Sequence, residues 1–558
     1  MKLIKIAIVF SFCFILNLQS ESILIKAAKN EMNRSMQELG KLPNAPYYIA
    51  YSVSDIKKVA LTSSFGKIES SNSDLSRIFD IDLRVGTYQF DNTHIIRGNP
   101  FDFSGGGGFT ELPMEDNETA IRNIIWQTTD RQYKSAIERL EKAQTNQKVK
   151  VDEEDKSADM SKEKPVIYNG SKPKLNYDKS KIEDMLRRLS ARFAKENWLY
   201  DGSVNFNAEE IEKTFINTEG SELVYGEAYV RMFVYAKTKS DDGMSLPLYK
   251  SYFSYSVDGL PKEEQIAKDI DELIDLLKKL RNAPLMTTFT GPAILSGEAS
   301  GVFFHEIFGH RVEGHREKDP NSSQTFKQSI DKKIFPEFIS VTFDPTIKVL
   351  KNREISGFYE YDDEGVKGQK VNTVENGIFK NFLMSRSPID KFNNSNGHGR
   401  KQAGYKAVSR QSNLVVNTTK SVPFNELKQK LVTECKKQNK EYGLYFVTVQ
   451  GGFTFTSRTI PNAFNVTPLV VYKIFADGRA DELVRGVDLI GTPLSTFANI
   501  IESADDLGVF NGVCGAESGG VYVAACSPSL LVSTIEVQKK KKSQAKPPIL
   551  NSPVGANP

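Results

Sequence analysis

Apolar residues recur at three- and four-residue steps through residues 23–42, where Ala27, Ala28, Met32, Met36 and Leu39 share one helical stripe. The same period returns at 118–144 and 180–198. It is strongest at 263–280, where Ile266, Ile270, Leu273, Leu276 and Leu277 line up. Between these helices, stretches rich in Tyr and Val with alternating character predict strands at 47–53, 58–64, 84–88, 204–206, 223–237 and 246–257. Asn282-Ala283-Pro284 ends the last helix, and the pattern changes there. Residues 289–296 read as a strand and turn entering a short helix. Strands then follow at 338–342, 370–375, 377–384, 412–416, 444–450 and 469–475. Turns such as Glu375-Asn376-Gly377 and Ala476-Asp477-Gly478 separate them, and 424–439 is the one clear helix among them. This pattern predicts an α+β protein. An N-terminal α/β region, residues 23–283, carries an antiparallel sheet and long helices, and a β-rich domain occupies residues 284–538.

Three stretches break the pattern. Residues 148–164 are almost wholly polar and charged, which predicts a solvated loop or linker. The glycine run at 105–108 lacks the Lys-Ser/Thr that a phosphate-binding loop requires and reads as a loop. The tail 539–558, basic and proline-containing, is expected to be disordered.

The N-terminus has the layout of an export signal. Lys2 and Lys5 precede an apolar run at 6–16, and small-residue cleavage sites follow near Ser20 and Ser22. The run is short for a bilayer span. Residues 1–20 are therefore expected to be removed, which places the mature protein in the periplasm or outside the cell. The formal charge of +3 on 558 residues gives no electrostatic reason to expect nucleic acid. Export would leave three cysteines, Cys435, Cys514 and Cys526, too few and odd in number for a disulfide framework, although a Cys514–Cys526 bridge is compatible with the count.

The chemistry concentrates in one place. Three of the five histidines lie within His305-Glu306-Ile307-Phe308-Gly309-His310-Arg311-Val312-Glu313-Gly314-His315-Arg316. Two imidazoles with a glutamate directly after the first is the pattern of a zinc hydrolase: two ligands and a general base. The histidines are five apart, about 140° around a regular helix, so the helix is expected to be overwound or bulged between them, with Gly309 as the weak point. A catalytic zinc takes three protein ligands and leaves one position open. The residues alone leave the third undecided among Glu313, His315, His398, Cys514 and Cys526.

The H-E-x-x-x-H spacing followed by R-x-E-G-H-R resembles the TldD/PmbA family of metallopeptidases, strongly over the C-terminal half and weakly before it. The resemblance implies Zn2+ held by His305, His310 and a distant cysteine, with Glu306 as the base. It selects Cys514, whose setting Phe510-Asn511-Gly512-Val513-Cys514-Gly515-Ala516-Glu517-Ser518-Gly519-Gly520 matches the family's ligand stretch, and leaves Cys526 as a packed thiol. It also points to Asn396-Gly397-His398-Gly399-Arg400 as a landmark, from which His398 and Arg400 are expected to contact substrate. Extended or unfolded peptides are the implied substrate, bound along strands. The implied assembly is a dimer, with itself or with a relative lacking the motif. Two other readings remain at this level: a non-catalytic or regulatory subunit of a peptidase complex, and a zinc hydrolase of a non-peptide amide.

N-terminal sequencing of the protein recovered from its native cell is expected to find the chain beginning near Glu21 or Ile23. Intact residues 1–20 on a membrane-bound protein would contradict the export reading.

Overall fold

Strand alternation sets the architecture of the first half. In a computed structural model, which describes residues 22–96, 109–149, 155–454, 464–491 and 497–540, the stretches 47–53 and 58–64 are one strand, Pro46–Ser64. It pairs on one side with Lys67–Val85 and on the other with Asp201–Asn217, which pairs in turn with Glu222–Lys239. Ser245–Ser254 and the short Ile167–Asn169 both join Glu222–Lys239, and Thr110–Glu111 edges the far side. Most of Lys67–Val85 was not legible in the pattern, because its first half is polar and solvent-facing. Side chains alternate across this sheet. Val59, Leu61, Val204, Phe206, Val230, Met232 and Val234 point to one face, where the helices Lys179–Ser190 and Glu263–Asn282 cover them. Ile49, Tyr51 and Val53 lie on the same face under Ile23–Leu39 and Glu118–Val149.

The opposite face meets the second half of the chain. Tyr48, Phe215 and Tyr225 pack there, with Tyr361 against them. Lys213 pairs with Asp363 at 3.1 Å, and Tyr229 contacts Tyr522 ring to ring at 4.0 Å.

The second half is built from two sheets around one core. Ile378–Phe379, Val371–Glu375, Ile339–Phe343, Asn413–Thr418, Gly519–Ser527 and Gly508–Ala516 form one in that order, so Gly508–Ala516 is its edge. In the other, Tyr442–Thr454, Phe289–Leu295, Leu530–Lys539, Val487–Gly491 and Phe464–Phe475 run side by side. Phe464–Phe475 pairs back onto Tyr442–Thr454, which closes the strands into a barrel. The predicted strand at 377–384 shrinks to Ile378–Phe379, while the predicted helix at 424–439 is present as Phe424–Lys437. The helix Gly297–Ile307 leaves barrel strand Phe289–Leu295 and buries Val302, Phe303, Phe304 and Ile307 in the core shared by both sheets.

The polar stretch at 148–164 departs from expectation. Its residues 155–164 do form a loop, but the loop is not solvated: Asp159, Met160 and Ser161 are buried. Met160 packs into the cluster of Tyr48, Phe215 and Tyr225, and charge and hydrogen bonds hold its two neighbours. Asp159 bonds His94 and Lys318, and Lys318 Nζ also donates to the Ala158 carbonyl at 2.6 Å. The Ser161 carbonyl accepts from Arg386 Nη2 at 2.6 Å. Residues 1–20, expected to be an export signal, the glycine run and residues 541–558 lie outside the described residues.

Arg386 is the junction of these contacts. It is 1% exposed, grips Glu219 through both Nη atoms at 2.7 and 2.8 Å, and reaches Tyr48 at 3.3 Å. Removing it strands a largely buried carboxylate. Arg386→Ala is expected to lower stability by about 3 kcal/mol in urea unfolding, with amide exchange rising first in residues 155–164.

Candidate metal centre

The helix carrying the histidines can approach the neighbouring sheet because it presents glycine to it. A Cβ on Gly301 would stand 2.7 Å from the Ala525 carbonyl oxygen. Gly297 approaches the backbone of Gly508 in the same way. The helix backbone thus lies against Gly519–Ser527 and the start of Gly508–Ala516. In that hairpin Cys514 faces Val521 across the ladder and turns inward, while Val513 and Gly515 turn outward.

As the spacing predicts, the chain overwinds between His305 and His310, and it does so by ending the α-helix. Ile307 is its last residue, Phe308 caps it, and Gly309–Arg311 forms a separate 3-10 turn. Gly309 matters through space rather than conformation, since a Cβ there would collide with the side-chain amide of Gln411. Gln411 in turn donates to the His305 carbonyl at 3.2 Å. Arg311 folds back onto the helix end and donates to the carbonyls of Glu306 and Ile307 at 2.9 and 3.0 Å. A cation at this terminus satisfies carbonyls the helix leaves open and complements its dipole.

The result is a cluster. His305, His310 and Cys514, all buried, bring ligand atoms within 4.8 Å of one another. Cys514 Sγ lies 3.4 Å from His310 Nε2, and the two imidazole centroids are 4.9 Å apart. Among the described residues this is the one such group of three. The donor set of two imidazoles and a thiol suits zinc in its three-ligand form.

A second ring of charge holds the first. His310 Nδ1 bonds Glu313 Oε2 at 3.2 Å, which leaves Nε2 facing Cys514. Metal-binding histidines usually have a carboxylate behind them in this way. Arg316 Nε donates to the same Glu313 oxygen at 2.8 Å, and Arg410 Nε stands 3.6 Å from the other. Burial opposes ionisation of Glu313, yet His310, Arg316 and Arg410 hold its carboxyl down at about 2. Burial likewise works against a charged Cys514, but the facing His310 and His305 pull its thiol well below the ordinary range. A thiol poised this way is ready to bind as the thiolate. Arg410 Nη2 also donates to the Cys514 carbonyl at 2.6 Å, fixing the strand that carries the thiol.

The other predicted residues fall elsewhere. Glu306 lines the cleft beside the cluster. His315 bonds Glu517 at 2.5 Å instead of joining the cluster. Cys435, Cys514 and Cys526 are all free thiols, so the Cys514–Cys526 bridge is not formed. Burial pushes the Cys526 thiol up to about 12, and it packs with Ile355, Val415 and Ala524. His398 and Arg400 do not reach the cleft, which corrects their expected role at substrate. His398 is fully buried between Asn396 and Ser412, and burial pulls its imidazole down to about 3. Arg400 donates to the carbonyls of Gln411 and Tyr522 at 2.7 and 2.8 Å. The sequence pattern does not single out Gln411 and Arg410, whose partners lie about a hundred positions away, nor Arg311, whose partners are close in the chain but are backbone carbonyls. Glu313 was considered only as a ligand, although its place three residues after His310 carried the signal.

The cluster opens into a cleft of about 1430 Å3 between the two halves of the chain. One wall is the face of the N-terminal sheet bearing Arg231, Phe233 and Tyr249. The other is the motif helix with Glu298, Val302, His305 and Glu306, and the edge strand Gly508–Ala516 runs along it.

Comparison with known proteins agrees with this geometry. Residues 288–539 match the family model of the PmbA/TldA metallopeptidase C-terminal domain. A metalloprotease of Archaeoglobus fulgidus is 30% identical over 260 residues, 47% of this chain and 56% of that protein. A zinc metalloprotease TldD homolog of Saccharolobus solfataricus is 26% identical over 249 residues, 44% of this chain and 51% of that one. The chain thus spans about half the length of these two relatives. The crystal structure of TldE from Thermococcus kodakarensis shares the fold at a TM-score of 0.58, with 15% identity, covering 92% of this chain and 100% of that one. The family-model match thus covers the region that carries the cluster, and the likeness of fold extends across nearly the whole chain.

Metal titration tests the arrangement. Cys514→Ser is expected to lower zinc affinity sharply, and Glu313→Gln by about 10- to 100-fold. Cys526→Ser should leave it unchanged in the same competition assay against a chromogenic chelator.

Proposed function

We propose that this chain is an exported zinc metallopeptidase of the TldD/PmbA kind, hydrolysing extended or unfolded peptides. One observation carries the reading: His305, His310 and Cys514 converge within 4.8 Å at a cleft that Glu306 also lines. Zinc bound by these three would act as a Lewis acid on the scissile carbonyl and make an attacking water more acidic. Glu306 takes the proton from that water and returns it to the leaving amine. Glu313 keeps the His310 ring oriented, and Arg410 keeps Cys514 in place.

The cleft suits an extended chain. Gly508–Ala516 pairs with Gly519–Ser527 on one side, and its other edge turns toward the cleft. An extended peptide can add to such an edge through main-chain hydrogen bonds, with little demand on its sequence. A second chain of the same fold, a copy of this one or a relative without the motif, is the proposed partner in assembly.

Glu306→Gln is expected to abolish hydrolysis of unstructured peptides, by at least 100-fold in kcat, while zinc content by elemental analysis stays at wild-type level. Loss of zinc from that variant would make Glu306 a ligand or structural residue. Turnover of small non-peptide amides in place of peptides would overturn the peptidase assignment.

A further inference from the structure

Arg231 sits on Glu222–Lys239, on the face that forms the cleft wall. Its guanidinium lies over Phe233 at 4.8 Å from the ring centre and 6.0 Å from that of Tyr522. Nη2 donates to the Asn511 carbonyl at 3.2 Å, and Nε is buried without an acceptor. Among the described residues no carboxylate pairs with it. Its electrostatic neighbours are the phenols of Tyr522, Tyr229 and Tyr249. The other cations of the cleft are placed differently: Arg316 is bound to Glu313 and Glu517, while Lys250 and Arg353 act on Glu298. Buried charges are normally paired, because an unpaired one loses its hydration without recompense. Arg231 is only half-buried, and aromatic faces offset part of that cost, but the side of the guanidinium that lines the cleft has no carboxylate to meet it.

We propose that Arg231 is a specificity-determining residue that binds a carboxylate of the peptide substrate, either its free C-terminus or an Asp or Glu side chain. This rests on the reading of the cleft as a peptide cleft. The chemistry is selective: a guanidinium engages a carboxylate through two parallel donors, which fixes position as well as charge. The position also carries information. Asn511, to which Arg231 is tied, precedes Cys514 by three residues on one strand, about 10 Å at the usual rise. A peptide running alongside that strand places its carboxylate about three residues from the bond at the metal cluster. Cleavage is then registered about three residues from the carboxylate, and where that carboxylate is the C-terminus a fragment of about three residues is released.

A set of peptides of one sequence, each labelled with an uncharged boron-dipyrromethene dye, tests this by anisotropy on the metal-free protein. One ends in an amide and is neutral, one has a free C-terminal acid, and one is an amide with a single internal glutamate. The wild type is expected to bind at least one carboxylate-bearing peptide tenfold or more tightly than the neutral amide. Tighter binding of the acid alone identifies the C-terminus as the ligand; tighter binding of the glutamate peptide identifies a side chain. Arg231→Gln should lose the discrimination, and Arg231→Lys, which keeps the charge but not the two-pronged geometry, should keep only part of it. Equal binding of all three peptides by the wild type, absence of binding included, overturns the proposal, as does undiminished discrimination in Arg231→Lys or in folded Arg231→Gln. Zinc-loaded protein incubated with the same peptides and read by mass spectrometry separates the two claims. Absence of any cleavage contradicts the peptidase reading and leaves the binding result standing.

Discussion

The approach of one helix backbone to one strand holds the candidate centre together. Gly297 and Gly301 let the backbone of Gly297–Ile307 lie directly against the hairpin formed by Gly508–Ala516 and Gly519–Ser527, and Ser300 bonds Ser527 between them at 2.8 Å. Any larger residue at Gly301 would push against the Ala525 carbonyl and move the helix off the strand. His305 would then draw away from Cys514, whose position the hairpin sets. The core residues Phe303, Phe304 and Ile307 press the helix into place from the other side, so the cluster of His305, His310 and Cys514 inherits the rigidity of the domain core.

Charge arranged in depth does the rest. Glu313 is fully buried and would be intolerable alone, but His310, Arg316 and Arg410 surround it. Each contact also orients something the chemistry uses: the His310 ring, the turn after the motif, and the Cys514 strand. The same logic appears at Arg386, which joins the N-terminal sheet, the buried loop at 155–164 and the C-terminal domain through Glu219, Tyr48 and Ser161. In both places an arginine of the second half locks elements that the chain brings together from far apart. Arg231 contrasts with them, since it is only half-buried in the cleft wall and has no such carboxylate among the described residues.

Much of the architecture was readable from periodicity, because helices and strands whose one face is buried must repeat their apolar residues at 3.6 or 2. Ile23–Leu39, Glu263–Asn282 and Phe424–Lys437 lie within two or three residues of where the pattern puts them. Lys67–Val85 escaped because half of it faces water and carries no alternation. The loop at 155–164 escapes for a related reason: hydropathy registers runs of apolar residues, whereas this loop is buried by the single side chain of Met160 and by polar contacts of Asp159 and of the Ala158 and Ser161 carbonyls to residues distant in the chain.

The sequence by itself determined the α+β class, the change of pattern after residue 282 and the motif His305, Glu306, His310, for each is written in neighbouring residues. It could say that two histidines five apart cannot share a face of a regular helix, but not how the chain resolves this. Tertiary structure decided that the helix ends at Ile307, under the hands of Arg311 and Gln411. It also turned His315 to Glu517, buried His398 in the core and brought Cys514 to His310 across 204 positions. These outcomes depend on which backbones can touch and which buried charges meet, and neither quantity is local in the chain.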